Sequence, residues 1–119
     1  MNSIIKLTTD EGLSVVGSDK YVTYDDIYMA VDGYIQAIYL TDTYTLWVNE
    51  EGKLRDDLVL NPVGTLVWNR YFGKTDAIYG NAVITGGADE NGSTLSLTPH
   101  EVYAFLEDLM VGDKGEQID

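Results

Sequence analysis

The sequence has no cysteine, a single histidine and only seven basic residues against twenty acidic ones. Without cysteine the chain forms no disulfides or zinc–thiolate sites and has no thiol nucleophile. A nucleophilic triad needs a base beside its nucleophile, and His100 is the one histidine that could supply it. Because His100 stands in the first turn of a predicted helix, we interpret it as a surface residue beside a helix cap. These absences predict a protein that is not an enzyme.

The sequence also lacks the patterns of a membrane helix, a phosphate-binding loop and a metal-binding loop. No apolar run approaches the roughly 20 residues of a membrane helix, and the first residues lack the pattern of a signal peptide, so we expect a cytoplasmic protein. Residues 86–89 lack the lysine and the hydroxyl of a phosphate-binding loop. Residues 89–93 resemble the start of a calcium loop, but Thr94 and His100 stand where that loop requires glycine and glutamate. We therefore expect no cofactor and no metal.

The excess of carboxylates sets the charge of the chain. The net charge is -13 and the isoelectric point is near 4.1. Duplex nucleic acids and anionic membranes bind patches of lysine and arginine, so direct binding to either is not expected. The natural partners of such a chain are basic surfaces. The alternative interpretation is that the charge serves solubility alone.

Apolar periodicity and turn residues predict the secondary structure. The predicted strands are 4–9, a hairpin partner at 13–16, then 34–40, 45–48 and 78–85. Three helices are predicted to begin at the capping residues Thr23, Asn61 and Thr98. This order predicts one α+β domain over residues 1–111, with an antiparallel or mixed sheet and about three helices packed on one face of it. A flexible acidic tail is predicted at 112–119.

Carboxylates near the end of the last predicted helix are the most informative acids. Glu107 and Asp108 lie where the helix dipole disfavours anions, so local stability does not explain them. With Glu101 they predict an acidic stripe roughly 10 Å long, which continues into the tail and resembles a row of phosphates. A solvated helix face is the alternative. Four further acids form pairs in the predicted turns of the chain middle: Glu50, Glu51, Asp56 and Asp57.

Several short motifs between residues 30 and 85 resemble a known family. They are Gly33-Tyr34-Ile35, the Val-Asn-Glu-Glu-Gly-Lys-Leu turn at 48–54, Asn61 with Gly64-Thr65, and Gly-Asn-Ala-Val-Ile at 80–84. Together they resemble DUF3846, a family of small phage and plasmid proteins without assigned activity. Members of that family commonly have basic residues after the position of Asn61, whereas this chain has Pro62-Val63. No anion-binding role is therefore carried over to this position.

The resemblance implies a mobile-element origin and brings no catalytic residue with it. Our first hypothesis is a non-enzymatic inhibitor of a bacterial defence system, of the anti-CRISPR or anti-restriction type, acting in the cytoplasm of the host cell. It would mimic DNA and bind a basic host defence protein such as a nuclease. The predicted partner-binding residues are Glu101, Glu107, Asp108, Glu50, Glu51, Asp56 and Asp57.

A second hypothesis is a sponge that binds a small ligand, such as a nucleotide signal of bacterial immunity. Cations would bind its phosphates and aromatic rings would stack on its base. The predicted ligand-binding residues are Lys53, Arg55, Arg70, Lys74, Trp47 and Trp68. The simpler interpretation of the tryptophans and of most tyrosines is that they anchor the core, while an exposed cluster of them would mark an interface. A free sheet edge also makes a homodimer possible.

Overall fold

The computed structural model describes residues 1–111, and the tail predicted at 112–119 lies outside the described residues. The strands are β1 (Ser3–Thr8), β2 (Gly12–Gly17), β3 (Ile35–Tyr39), β4 (Thr45–Asn49) and β5 (Ala82–Thr85), and the helices are α1 (Tyr24–Val31), α2 (Pro62–Phe72) and α3 (Pro99–Val111). The strands form one sheet in the order β2-β1-β5-β4-β3, and every neighbouring pair is antiparallel. The predicted α+β class is confirmed.

Alternate residues along the strands point to two different cores. On one face, Ile5 and Ile84 belong to the larger core under α2 and α3. On the other, Ile4 and Val83 belong to a smaller core with Ile27 of α1. The expectation that all helices pack on one face is therefore wrong. All four residues of β5 are buried, which is typical of a strand covered on both sides.

Short-range hydrogen bonds begin the helices where the sequence predicts. At α1, Thr23 Oγ1 accepts from the Asp26 amide at 3.1 Å, and the Asp26 carboxylate accepts from the Thr23 amide at 3.4 Å. Thr98 and Glu101 form the same reciprocal pair at α3, at 3.2 and 2.9 Å. Such pairs satisfy amides that the first helical turn leaves free. Asp32, with a φ of 65°, ends α1.

The strand predicted at 78–85 is only half as long, since β5 begins at Ala82. Gly80 has a φ of 83°, which is outside the strand region, and a side chain there would contact Leu58. Tyr79 instead forms an isolated bridge with Leu60. The segment before Ala82 therefore belongs to the loops at this end of the sheet.

Antiparallel pairing brings distant segments to one end of the sheet, which we call the loop end. Here the chain leaves β1 and β4 and enters β2, β3 and β5. The loop end is formed by the segments 9–11, 32–34, 50–61 and 79–81. None of the helices in the described part of the chain is long and apolar enough to cross a membrane.

Candidate functional site

A buried asparagine joins the elements of the loop end. The Asn61 side chain is fully buried, and its Nδ2 donates to the carbonyl oxygens of Leu7 at 2.9 Å and Gly80 at 2.8 Å. Its Oδ1 accepts from the Gly64 amide at 2.8 Å and so caps α2. One side chain thereby connects β1, the segment before β5 and α2. The Asn61 motif is explained by this scaffold role without any ligand.

Two further asparagines fasten the neighbouring loops. Asn49, at the end of β4, donates from Nδ2 to the Asp32 carbonyl at 3.3 Å and accepts at Oδ1 from the Glu51 amide at 2.8 Å. Asn81 accepts from the Thr9 amide at 3.0 Å. These contacts link all four loop segments to the sheet. Side chains on them are consequently presented from a well-supported backbone.

Exposed carboxylates are concentrated on these loops. Seven exposed acidic residues lie at the loop end and form what we call the acidic end: Asp10, Glu11, Asp32, Glu50, Glu51, Asp56 and Asp57. Because neighbouring strands lie about 4.8 Å apart, the five strand ends span roughly 19 Å. Four of the seven predicted partner-binding residues are brought to this one end of the sheet.

The three remaining predicted partner-binding residues lie on α3, and the carboxylate of each accepts a hydrogen bond from another residue. The Glu101 carboxylate completes the cap with Thr98, Asp108 accepts from Arg70 at 2.8 Å, and Glu107 accepts from the Tyr103 hydroxyl at 3.0 Å. At about 100° per residue, Glu101 and Asp108 share one side of the helix and Glu107 points elsewhere. The three carboxylates therefore do not form the one continuous stripe along α3 that the sequence predicts.

Two of the predicted ligand-binding cations lie at the loop end, and each is paired with a carboxylate. Arg55 donates to both oxygens of Asp57, at 3.0 and 2.6 Å, and also to the Asp32 carbonyl at 3.1 Å. Lys53 forms an ion pair with Asp76. Hydrogen bonds from these two cations hold the pKa of Asp57 and of Asp76 below the usual range. Asp76 was not among the sequence predictions, because it is 23 residues from Lys53 along the chain.

A cavity of about 270 Å³ lies beside the Lys53–Asp76 pair. Its apolar wall includes Ile38 and Val48 of the sheet and Trp68 of α2. Trp68 is held by a hydrogen bond from its indole nitrogen to Thr75 Oγ1 at 2.9 Å. The volume is just under the roughly 300 Å³ at which small-molecule pockets begin. Lys53 and Arg55 together line an adjoining cavity.

The other three predicted ligand-binding residues lie elsewhere. Arg70 pairs with Asp108 of α3, and Lys74 is exposed and lines neither of these cavities. Trp47 packs against the smaller core on the α1 face, where its indole nitrogen donates to Thr85 Oγ1 at 2.8 Å. Of the predicted set, Lys53 lines one cavity with Trp68 and the adjoining cavity with Arg55.

Two tyrosines under α3 have raised pKa values. Burial raises the pKa of Tyr71 to about 12, and the charge of Asp108 adds to the effect. Burial also raises the pKa of Tyr44, whose hydroxyl donates to the Glu101 carbonyl at 2.7 Å. Both hydroxyls are therefore protonated at neutral pH and are not bases. Within residues 1–111, no group of three or more acidic or histidine side chains is placed to hold a metal ion.

The interpretation that most tyrosines anchor the core is wrong. Six of the nine expose more than a third of their area. Three of these contact one another in a row: the ring centroids of Tyr24 and Tyr28 are 6.0 Å apart, as are those of Tyr28 and Tyr34. The spacing of Tyr24 and Tyr28 by four residues on a predicted helix was the available signal. The buried residues of this helix are Ile27 and Val31.

Comparison with known proteins agrees with the motifs of the loop end. The model of the DUF3846 family, a domain of unknown function, matches residues 1–110. Curated proteins and solved structures give no match. Since the family model covers almost the whole chain, this protein belongs to the DUF3846 family.

Proposed function

We propose that this chain is a non-enzymatic protein of a phage or another mobile element that inhibits a bacterial defence system. In this proposal the acidic end occupies the basic, nucleic-acid-binding surface of a defence protein such as a restriction or CRISPR nuclease. One observation carries the proposal: seven exposed carboxylates lie at one end of the sheet, on loops that hydrogen bonds of buried or half-buried asparagines hold in place. Lys53 and Arg55 lie among them, and both are paired with carboxylates.

The number of carboxylates suits mimicry of a nucleic acid. One strand of duplex DNA carries a phosphate every 3.4 Å along the axis, or about six over the 19 Å width of the acidic end. A groove of lysines and arginines attracts such an array over long distances and orients it before contact. The fastened loops support the proposal because a preorganised surface loses less entropy on binding.

Reversing two charges at the acidic end tests this proposal. In DNA-cleavage assays with a panel of restriction and CRISPR nucleases, the chain is expected to inhibit at least one enzyme, and less strongly as salt is raised. The variant Glu50→Lys/Glu51→Lys should raise the half-inhibitory concentration by about tenfold or more, because each reversal places like charges together. Both side chains are exposed, so folding should not change.

The matched control is Asp42→Lys/Glu90→Lys, which makes the same charge change with exposed residues beyond the opposite strand ends. It should change inhibition by about twofold or less, since distant exposed charges are screened. Equal weakening by the two variants would show that overall charge matters and not the acidic end. Failure to inhibit any nuclease of the panel would contradict the proposed function.

The cavity beside Lys53 favours a second candidate, a sponge for a small anionic ligand with a planar ring. Lys53 and Arg55 would bind the anion and Trp68 would contact the ring. Native mass spectrometry of the chain purified from bacteria should then show a retained small molecule. Lys53→Gln should lower its occupancy about tenfold, whereas the control Lys74→Gln, outside the cavity, should not. Wild-type chain without retained mass would contradict this candidate.

A further inference from the structure

The row of three tyrosines on the α1 face is a feature that the fold does not require. We call Tyr24, Tyr28 and Tyr34 the tyrosine ladder; their side chains are 57%, 36% and 60% exposed. The apolar contacts of α1 with the sheet are made by Ile27 and Val31, which are buried. The ladder rings therefore contact one another and the solvent while other residues hold the helix in place.

Exposed aromatic rings in contact with one another are typical of protein interfaces. Tyrosine is enriched there because it offers a large flat surface with few rotatable bonds. The ring pair of Tyr28 and Tyr34 is nearly perpendicular, at 81°, so the ladder presents ring faces in more than one direction. Such faces attract cations, and a guanidinium group can also stack on them.

Acidic residues neighbour the ladder along the chain and across a backbone hydrogen bond, and two of them belong to the acidic end. Asp25 and Asp26 lie in the first turn of α1 beside Tyr24, and Asp32 ends the same helix. At the other end, the Glu50 amide donates to the Tyr34 carbonyl at 2.8 Å. All four acids are exposed. A cation on the ladder would thus lie over the rings and in a region of the chain rich in exposed acidic residues.

We propose that the tyrosine ladder binds an arginine-bearing segment of the partner protein, with guanidinium groups on the tyrosine faces and the surrounding carboxylates paired to them. This inference rests on the proposed function, because it assumes a basic partner, and it adds the kind of residue that the partner contributes. Arginine fits better than lysine, since its planar group stacks on rings while also donating to carboxylates. A second copy of the chain or a nucleic acid would be repelled by the net charge of -13.

Labelled nona-arginine and nona-lysine peptides test the inference, with binding followed by fluorescence anisotropy at low salt. The wild-type chain should bind the arginine peptide about tenfold more tightly, because each ring contact contributes a factor of roughly two to five. Tyr24→Leu/Tyr34→Leu should remove this preference by weakening the binding of the arginine peptide more than that of the lysine peptide, because only the guanidinium group also stacks on the rings. Both side chains are more than half exposed, so thermal unfolding should be unaffected.

Two control variants test whether the tyrosine rings themselves cause the preference for the arginine peptide. Tyr24→Phe/Tyr34→Phe keeps the rings and should keep the preference for arginine. Tyr103→Leu, which removes a tyrosine of similar exposure from α3, should keep it as well.

Equal binding of both peptides by the wild-type chain would overturn the ladder inference while the proposed function stands. Absence of binding to either peptide would overturn both. A wild-type dimer that Tyr24→Leu/Tyr34→Leu converts to a monomer in analytical ultracentrifugation would overturn the inference in favour of a second copy. Tighter binding of a single-stranded oligonucleotide than of the arginine peptide would likewise overturn it.

Discussion

Replacing Asn61 by alanine is expected to lower the free energy of unfolding by about 4 kcal/mol. The substitution removes three hydrogen bonds and leaves the carbonyls of Leu7 and Gly80 and the amide of Gly64 without their partner in a fully buried place. Each buried group left unpaired costs about 1 to 3 kcal/mol, and loss of a helix cap costs about 1 kcal/mol. Urea unfolding followed by circular dichroism measures the loss.

The control for this prediction is Asn91→Ala, which changes an exposed asparagine in the loop after β5. It should alter the free energy of unfolding by less than about 0.5 kcal/mol, as exposed positions do. A loss below about 1 kcal/mol for Asn61→Ala would contradict the role of Asn61 as the residue that joins β1, α2 and the segment before β5. Because this residue supports the acidic end, partial loss of stability should also weaken binding there.

Replacing Phe105 by alanine is expected to destabilise the domain by a similar amount, about 3 to 5 kcal/mol. Phe105 is 1% exposed and belongs to the larger core, where its ring centroid lies 5.2 Å from that of Tyr44 and 6.3 Å from that of Tyr71. Deleting the ring removes buried apolar area and leaves a cavity between α3, α2 and the sheet. Thermal unfolding and urea unfolding would both measure this loss of stability.

The other phenylalanine of the chain provides the control. Phe72 is 40% exposed and packs on Trp68, so Phe72→Ala should cost about 1 kcal/mol, in proportion to the smaller area that it buries. Equal losses for the two variants would contradict the assignment of Phe105 to the core.

Helix starts and the alternation of apolar residues could be read from the sequence because they depend on near neighbours. Thr23, Asn61 and Thr98 cap their helices through bonds to residues three positions later. The hairpin of β1 and β2 was predicted for the same reason. The strand predicted at 78–85 was wrong in its first half, because Gly80 has a left-handed φ there and the apolar pattern alone does not show this.

Contacts between distant segments could not be read in this way. The partner of Lys53 is Asp76, and the partner of Arg70 is Asp108, 38 residues further along. Which acids remain unpaired therefore depends on these pairings. The tyrosines illustrate the same limit. Whether a tyrosine ring is buried depends on which elements pack against it in the fold, and six of the nine rings are exposed.

The sequence by itself determined the charge of the chain, the helix caps and the residues able to form strands, since each of these is a property of one residue or of close neighbours. Only the tertiary structure decided that α1 lies opposite α2 and α3, that four loop segments carrying seven exposed acidic residues meet at one end of the sheet, and that three tyrosines form a row on the α1 face. The physical reason is that strand order and the closing of long loops bring together residues far apart in the chain, and local preferences carry no record of that arrangement.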